Sequence, residues 1–374
     1  MDVRIDDLSL TFGDFTAVKH LSLDIENGES LVLLGQSGCG KTSTMRCVAG
    51  LEDPSGGSIS IGGTTVFDAG KRINLNPNKR NVGLVFQSYA VWPHMTVLEN
   101  VSFPLKMKKR SKKDTKVKAM ETLERVGLAH LADRGASMLS GGQMQRVALA
   151  RSLAMEPNVM LLDEPLSNLD ARLREDLRVE LRRLQLELGL TCIYVTHDQG
   201  EALALADRIA IMQRGRISQL ADPYATYRAP ASASIAEFLG VANIFAARPP
   251  AGNAAQLRLR EHELEVAFDT ELPQDTSDLS VCIRPEHVRI DSLGTGTGAR
   301  TGANVWPGKV EVSVFQGAYA RCSVRLDSGP LIEVQSHEES AGMLRKDERV
   351  LVEVDPKHVR VLPGEVYPDS GEES

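Results

Sequence analysis

The sequence predicts a two-domain chain: an α/β domain built on a buried parallel sheet, followed by a small all-β domain. Three observations carry that expectation. Apolar runs of strand length at 30–34, 158–164 and 191–197 are separated by stretches of helical texture, the pattern of strands covered on both faces. Between the first run and a helical stretch stands Gly35-Gln36-Ser37-Gly38-Cys39-Gly40-Lys41-Thr42-Ser43, a glycine-rich turn of the form G-x-x-x-x-G-K-[ST]. Near residue 230 the composition turns Pro/Ala/Ser-rich, and beyond it short strands alternate with glycine turns. A chain of 374 residues that is 42% hydrophobic has apolar surface enough for a core in each domain.

Taken in order, residues 1–28 read as short alternating strands, with Asn27-Gly28 as a turn before the strand 30–34. Residues 42–49 suit a helix, and 55–66 a hairpin with glycine turns. From about Val97 to Ala154 the texture is helical, including the basic run 106–113, which reads as a solvated face. Strands return at 158–164 and 191–197. Between them Leu173, Leu177, Leu181, Leu184 and Leu188 fall at helical spacing and stop at Gly189, a core stripe with a helix terminator. The domain boundary is placed at 238/239, giving domains of 1–238, with a helical subdomain at about 88–154, and 239–374. In the second domain Pro285-Glu286-His287-Val288-Arg289-Ile290 and Pro356-Lys357-His358-Val359-Arg360-Val361 echo one another, implying two turn-then-strand units. The closing 367–374 is acidic and expected to lack a fold of its own.

The glycine turn is the first place with chemistry. Its backbone can bend so that successive N–H groups point at phosphate oxygens, and the helix start adds partial positive charge. Lys41 would reach the β- and γ-phosphates of a nucleotide and Thr42 would place its hydroxyl on Mg²⁺. The same N–H donors should favour the Cys39 thiolate and make it sensitive to thiol reagents, with burial, which would leave it inert, as the alternative. A second place is Asp163-Glu164, two carboxylates at the end of an apolar strand, where the first acid would hold Mg²⁺ and the second polarise an attacking water. A third is Ser140-Gly141-Gly142-Gln143 ahead of a helix-forming run, another helix start able to meet an anion. A net charge of −7 argues against a nucleic-acid coat. Five scattered cysteines without C-x-x-C spacing suggest neither a disulfide framework nor a zinc site. The acidic start lacks the pattern of a signal peptide and no apolar run reaches membrane-spanning length, so the chain is expected to be soluble in itself.

The P-loop, Leu139-Ser140-Gly141-Gly142-Gln143, Leu161-Leu162-Asp163-Glu164-Pro165, Ser167-Asn168-Leu169-Asp170 and Val195-Thr196-His197-Asp198, in that order, resemble the nucleotide-binding subunit of an ABC transporter. The resemblance covers roughly residues 1–240 and implies an ABC ATPase of the P-loop NTPase fold. It implies that Phe12 stacks on adenine, with core packing as its alternative, and that Gln87 touches Mg²⁺ and the attacking water. It further implies that His197 contacts the γ-phosphate and that Asp170 communicates across a dimer. Ser140 and its glycines would bind the γ-phosphate held by the other subunit, so two copies must pair head to tail. The catalytic set is then Glu164, His197, Gln87 and Lys41. The metal set is Thr42, Gln87 and Asp163, and the nucleotide set adds Gly35, Ser37, Gly38, Cys39, Gly40 and Ser43. Met144 and Gly200 depart from the usual glutamine and glutamate, and Gly200 should weaken the helix start after His197.

The second domain, through Arg284-Pro285-Glu286-His287, resembles the OB-like transport-associated domain of import ATPases for sugars, polyamines or ferric iron. Trp92, where sugar importers more often have tyrosine, leans toward the iron and polyamine members. The cofactors implied are ATP and Mg²⁺. The partners implied are a second copy, two membrane permeases docking near Tyr89–Thr96 and, indirectly, a periplasmic or extracellular solute-binding protein. The place implied is the cytoplasmic face of a bacterial or archaeal membrane. Val91, Trp92 and Met95 look too apolar for an ordinary exposed loop, which is the motive for docking there. The alternatives are a soluble ABC ATPase acting on nucleic acid or ribosomes, disfavoured by the absence of heptads between P-loop and signature, and a small-molecule kinase, which has no use for the signature.

Overall fold

The computed structural model describes residues 1–248, 256–262, 264–270, 272–273, 278–292, 303–337 and 344–364; the acidic tail at 367–374 lies outside the described residues. Two compact units, Met1–Arg228 and Ala229–Ser374, make up the chain. The division falls ten residues before the 238/239 boundary read from composition. The helix Ala233–Phe238 is the reason, because it buries Ala233 and Ala236 against Val241 and Cys282 of the second unit.

In the first unit the opening residues form one long hairpin, Val3–Phe12 with Phe15–Ile25, rather than several short strands. Register shifts between Ile5 and Thr11 interrupt the inside–outside alternation, which is why the sequence reads as shorter pieces. This hairpin joins Gly56–Ile61, Thr64–Asp68 and Ile73–Asn74 in an antiparallel sheet. The central sheet has six strands in the order 216–221, 208–213, 30–34, 191–196, 159–163, 82–85, and its last five are parallel. Strands 30–34, 159–163 and 191–196 are buried at every residue, as continuous apolar runs require. One core cluster links both sheets to the helix Lys41–Ala49 through Leu31, Leu33, Met45, Val48, Ile59 and Ile193.

Between strands 82–85 and 159–163 the chain is helical: Val97–Met107, Lys112–Arg125 and Gly141–Leu153, started by Thr96, Ser111 and Ser140 as N-caps. The leucine stripe forms the helix Ala171–Leu188 and ends at Gly189 in the left-handed region, φ 59°. Among the described residues no helix is long and apolar enough to cross a membrane.

The second unit holds two five-stranded antiparallel sheets around one core that includes Leu279, Val281, Trp306, Val324, Val352 and Val361. Its internal echo is structural: Pro285–His287 and Pro356–His358 are both single 3₁₀ turns, each leading straight into a strand.

Candidate nucleotide site

Four neighbouring parallel strands end on the same edge of the central sheet, and each carries one of the motifs just past its C-terminus. The P-loop follows 30–34, His197 follows 191–196, Glu164 follows 159–163 and Gln87 follows 82–85. Residues more than 100 positions apart in sequence therefore converge because the sheet orders them, the usual place for a site in an open α/β fold.

Within the P-loop, Gly40 stands at φ 103° where a Cβ would lie 2.5 Å from the Ala17 carbonyl oxygen. At Gly35 a Cβ would meet the Met212 carbonyl oxygen at 2.4 Å. Gly40 excludes a side chain by conformation and space, Gly35 by space alone. The helix Lys41–Ala49 starts without a side-chain cap, so its leading N–H groups stay open to an anion, while Gln36, Ser37 and Gly38 form the exposed tip. Lys41 is buried, its ammonium donating to the Gly35 and Gln36 carbonyls at 2.8 Å each. Ser43 is half-buried in the first turn.

Thr42 donates its hydroxyl to Asp163 Oδ1 at 3.0 Å, which places two hard oxygen donors side by side. Burial pushes the Asp163 carboxyl above the ordinary aspartate range, and Thr42, Arg46 and Lys41 only partly offset it. Next to it, Glu164 occupies the left-handed region at φ 42°, a strained conformation for a residue with a side chain. Its amide donates to the Val195 carbonyl at 3.0 Å, and its carboxylate lies between Gln87 and His197. Gln87 Nε2 donates to Oε2 at 3.3 Å; His197 Nδ1 is 3.0 Å from Oε1. Two further residues, to which sequence reasoning gave no role of their own within the motif 167–170, hold this arrangement. Ser167 donates to the Glu164 carbonyl at 2.9 Å, and Asn168 donates to the Gln87 carbonyl at 2.8 Å. Their signal in the sequence was their place in the motif that ends at Asp170, which accepts from the Leu173 amide at 3.0 Å as a helix cap.

The other predicted residues stand apart from that cluster. Ser140 closes a capping box with Gln143: the Ser140 hydroxyl accepts from the Gln143 amide at 3.4 Å, and the Gln143 side chain accepts from the Ser140 amide at 3.0 Å. Behind it Gly142 packs against Leu173, which a Cβ there would meet at 2.8 Å and have to displace, while Gly141 has more room, with Leu169 at 3.3 Å. Phe12 is 48% exposed where the first hairpin turns, so the core-packing alternative does not hold for it.

Three expectations are corrected. Cys39 is buried and burial pushes its thiol up, outweighing the nearby Lys41, so the expected thiolate is not favoured. Trp92 is not a free docking residue: its ring packs on Phe103 at 4.6 Å and the Arg151 guanidinium lies 4.6 Å over it. Arg151 also donates to the Ala90 and Tyr89 carbonyls at 2.6 and 3.0 Å, Tyr89 itself is buried, and the exposed residues of the loop are Ala90, Pro93 and His94. Gly200 does not prevent the helix Gln199–Leu205, because Asp198 caps it by accepting from the Glu201 amide at 2.9 Å.

Comparison with known proteins agrees with this geometry. Residues 18–167 match the ABC transporter family and residues 281–362 the TOBE domain. The chain is 44% identical, over 88% of its length and 89% of the relative's, to the Fe(3+) ions import ATP-binding protein FbpC of Agrobacterium fabrum. It is 41% identical, over 97% of its length and 94% of the relative's, to the spermidine/putrescine import ATP-binding protein PotA of Rubrobacter xylanophilus. Among solved structures, it is similar to the ATP-binding cassette MJ0796 in a dimeric post-hydrolysis state bound to ADP and Pi. That similarity has 31% identity and a TM-score of 0.51, covering 59% of this chain and 98% of that one. The chain belongs to the ABC transporter family, as an ATP-hydrolysing import subunit with an appended TOBE domain.

Proposed function

We propose that two copies of this chain pair head to tail and power solute uptake through membrane permeases, from the cytoplasmic face of the membrane. The observation that carries the reading is the Glu164 carboxylate held between Gln87 and His197, beside the Thr42–Asp163 pair. In this reading Glu164 accepts a proton from the attacking water, Gln87 and His197 orient that water and the γ-phosphate, and Lys41 turns from its own loop carbonyls to the phosphates. The oxygens of Thr42 and Asp163 fit a hard divalent cation, and Mg²⁺, with Gln87 as a further contact, would neutralise charge building on the phosphates.

One chain carries one P-loop and one signature, and among the described residues the Ser140 side chain bonds only within its own cap. A second copy would bring that helix start to the γ-phosphate, with Asp170 at the seam, and Phe12 would take the adenine face. Closure on ATP and reopening after hydrolysis would then drive the permeases, which dock at the exposed part of the loop Tyr89–Thr96 and receive solute from a binding protein. Ferric iron or a polyamine is the solute class favoured by Trp92 and by the relatives, with sugars as the remaining option. The test is MgATP hydrolysis by the purified chain, with crosslinking from His94→Cys in membranes. A crosslink to a permease supports the docking face, and crosslinks confined to ATPase copies would remove it.

A further inference from the structure

The basic run between Lys106 and Lys116 holds seven cations and one acid in a chain of net charge −7. The fold divides six of these cations, all but Lys106, into two groups. Lys108 is tied to the Asn81 side chain and the Met155 carbonyl, both at 3.3 Å, and Arg110 pairs with Glu156, as does Lys118 just beyond the run. Among the described residues the ammonium groups of Lys109, Lys112, Lys113 and Lys116 have no such partner, and all four side chains are exposed. Two of them sit where helix electrostatics disfavours them: Lys112 and Lys113 open the helix Lys112–Arg125, at its positive end. Beside them Met107 is 67% and Val117 51% exposed, and Val117 and Met120 line a shallow groove with Lys112, Lys113 and Lys116 at one end and Glu121 and Glu124 further along the helix.

We infer that this face docks on an anionic phospholipid surface. Flexible, strongly hydrated ammonium groups suit a diffuse layer of headgroup phosphates, whereas bidentate recognition of a single phosphate favours arginine. The exposed Met107 and Val117 have a use at a bilayer interface, where apolar side chains insert beneath the headgroups, and none along a nucleic-acid backbone. The helix Val97–Met107 joins this face to the loop where a permease is proposed to dock, about 16 Å away along its axis. The inference therefore rests on the import-subunit reading, and lipid contact would hold the helical segment against the membrane beside the permease.

The test is sedimentation of the full-length protein with vesicles of phosphatidylcholine alone and of phosphatidylcholine mixed with phosphatidylglycerol. The mixed vesicles should bind it and the neutral ones should not, with binding falling as salt is raised. The triple variant Lys112→Glu, Lys113→Glu, Lys116→Glu should lose at least about tenfold in vesicle affinity while keeping its MgATP hydrolysis in solution. Acids at 112 and 113 stabilise the first turn they stand in, and position 116 is exposed, so the loss would not come from unfolding. Val117→Ser should weaken binding a few-fold with the charges intact. Equal binding to both vesicle types, or an unchanged triple variant, would overturn the inference. Tighter binding to duplex DNA at matched phosphate, or binding only to vesicles that contain permease, would equally replace the lipid by another partner. A wild-type chain without MgATP hydrolysis would instead break the import-subunit reading, a failure that the vesicle data would show separately.

Discussion

Two helix starts in the first unit look alike in sequence and differ in structure. Both are glycine-rich and both follow a loop, yet the helix at Lys41 begins with an uncapped left-handed glycine, whereas the helix at Ser140 closes a full capping box with Gln143. The first therefore keeps unsatisfied N–H groups permanently directed outward. The second satisfies two of its amides, those of Ser140 and Gln143, within the cap, and leaves the Ser140 hydroxyl proton with the Gly141 and Gly142 amides for an anion. The P-loop start has a buried ammonium beside its donors, whereas the start at Ser140 has a hydroxyl and two glycine amides and no cation of its own. In the proposed head-to-tail pair the first would hold the phosphates and the second would close on them from the other copy.

The comparison breaks most visibly at Lys41. Lys41→Ala removes the buried ammonium and should weaken ATP binding by about 10- to 100-fold, the range for a hydrogen bond to a charged group, as read by calorimetric titration. Ser140→Ala should leave the affinity of a single copy for ATP within about twofold while slowing turnover. It should also cost about 0.5–2 kcal/mol of stability in denaturant unfolding, because the cap is lost. If both variants lose ATP binding equally, the two helix starts are equivalent after all.

Asp163 sharpens the contrast from the acidic strand end. Its folded-state pKa is raised by burial, so the ionised carboxylate destabilises the fold above that pKa, and the penalty disappears as pH falls through it. Asp163→Asn should raise the thermal midpoint of the nucleotide-free chain by about 2–4 °C and abolish Mg²⁺-dependent hydrolysis. For the same reason the wild-type chain should need more Mg²⁺ as pH is lowered, beginning at a higher pH than an ordinary aspartate would give. A destabilised Asp163→Asn would mean that the carboxylate is structural.

Much of this was legible in the sequence because the P-loop, the strand ending in Asp163 and the leucine stripe each carry a local period or a fixed spacing. The long first hairpin was not, since its bulges break the alternation that marks a strand. For Cys39 the sequence left two readings open, because the N–H donors of its loop are visible there while the burial that outweighs them comes from packing. Trp92 was misread for a similar reason: Arg151 and Phe103, which cover it, lie 59 and 11 residues away and nothing local announces them. Asn168 and Ser167 hold Gln87 and Glu164 through backbone carbonyls, contacts that no pattern of side chains reports.

The central claim is that Glu164 is the base of a site completed by a second copy, and Glu164→Gln tests it most directly. The amide keeps the shape and removes the proton acceptor, so turnover should fall by about 10² to 10⁴. Thr42, Asp163 and Lys41 remain, so ATP and Mg²⁺ should still bind, and the uncleaved γ-phosphate should hold the partner's signature helix. Size-exclusion chromatography in MgATP should then show a dimer that persists longer than in the wild type. Hydrolysis by Glu164→Gln at near the wild-type rate, or a chain that stays monomeric with ATP bound, would contradict the account.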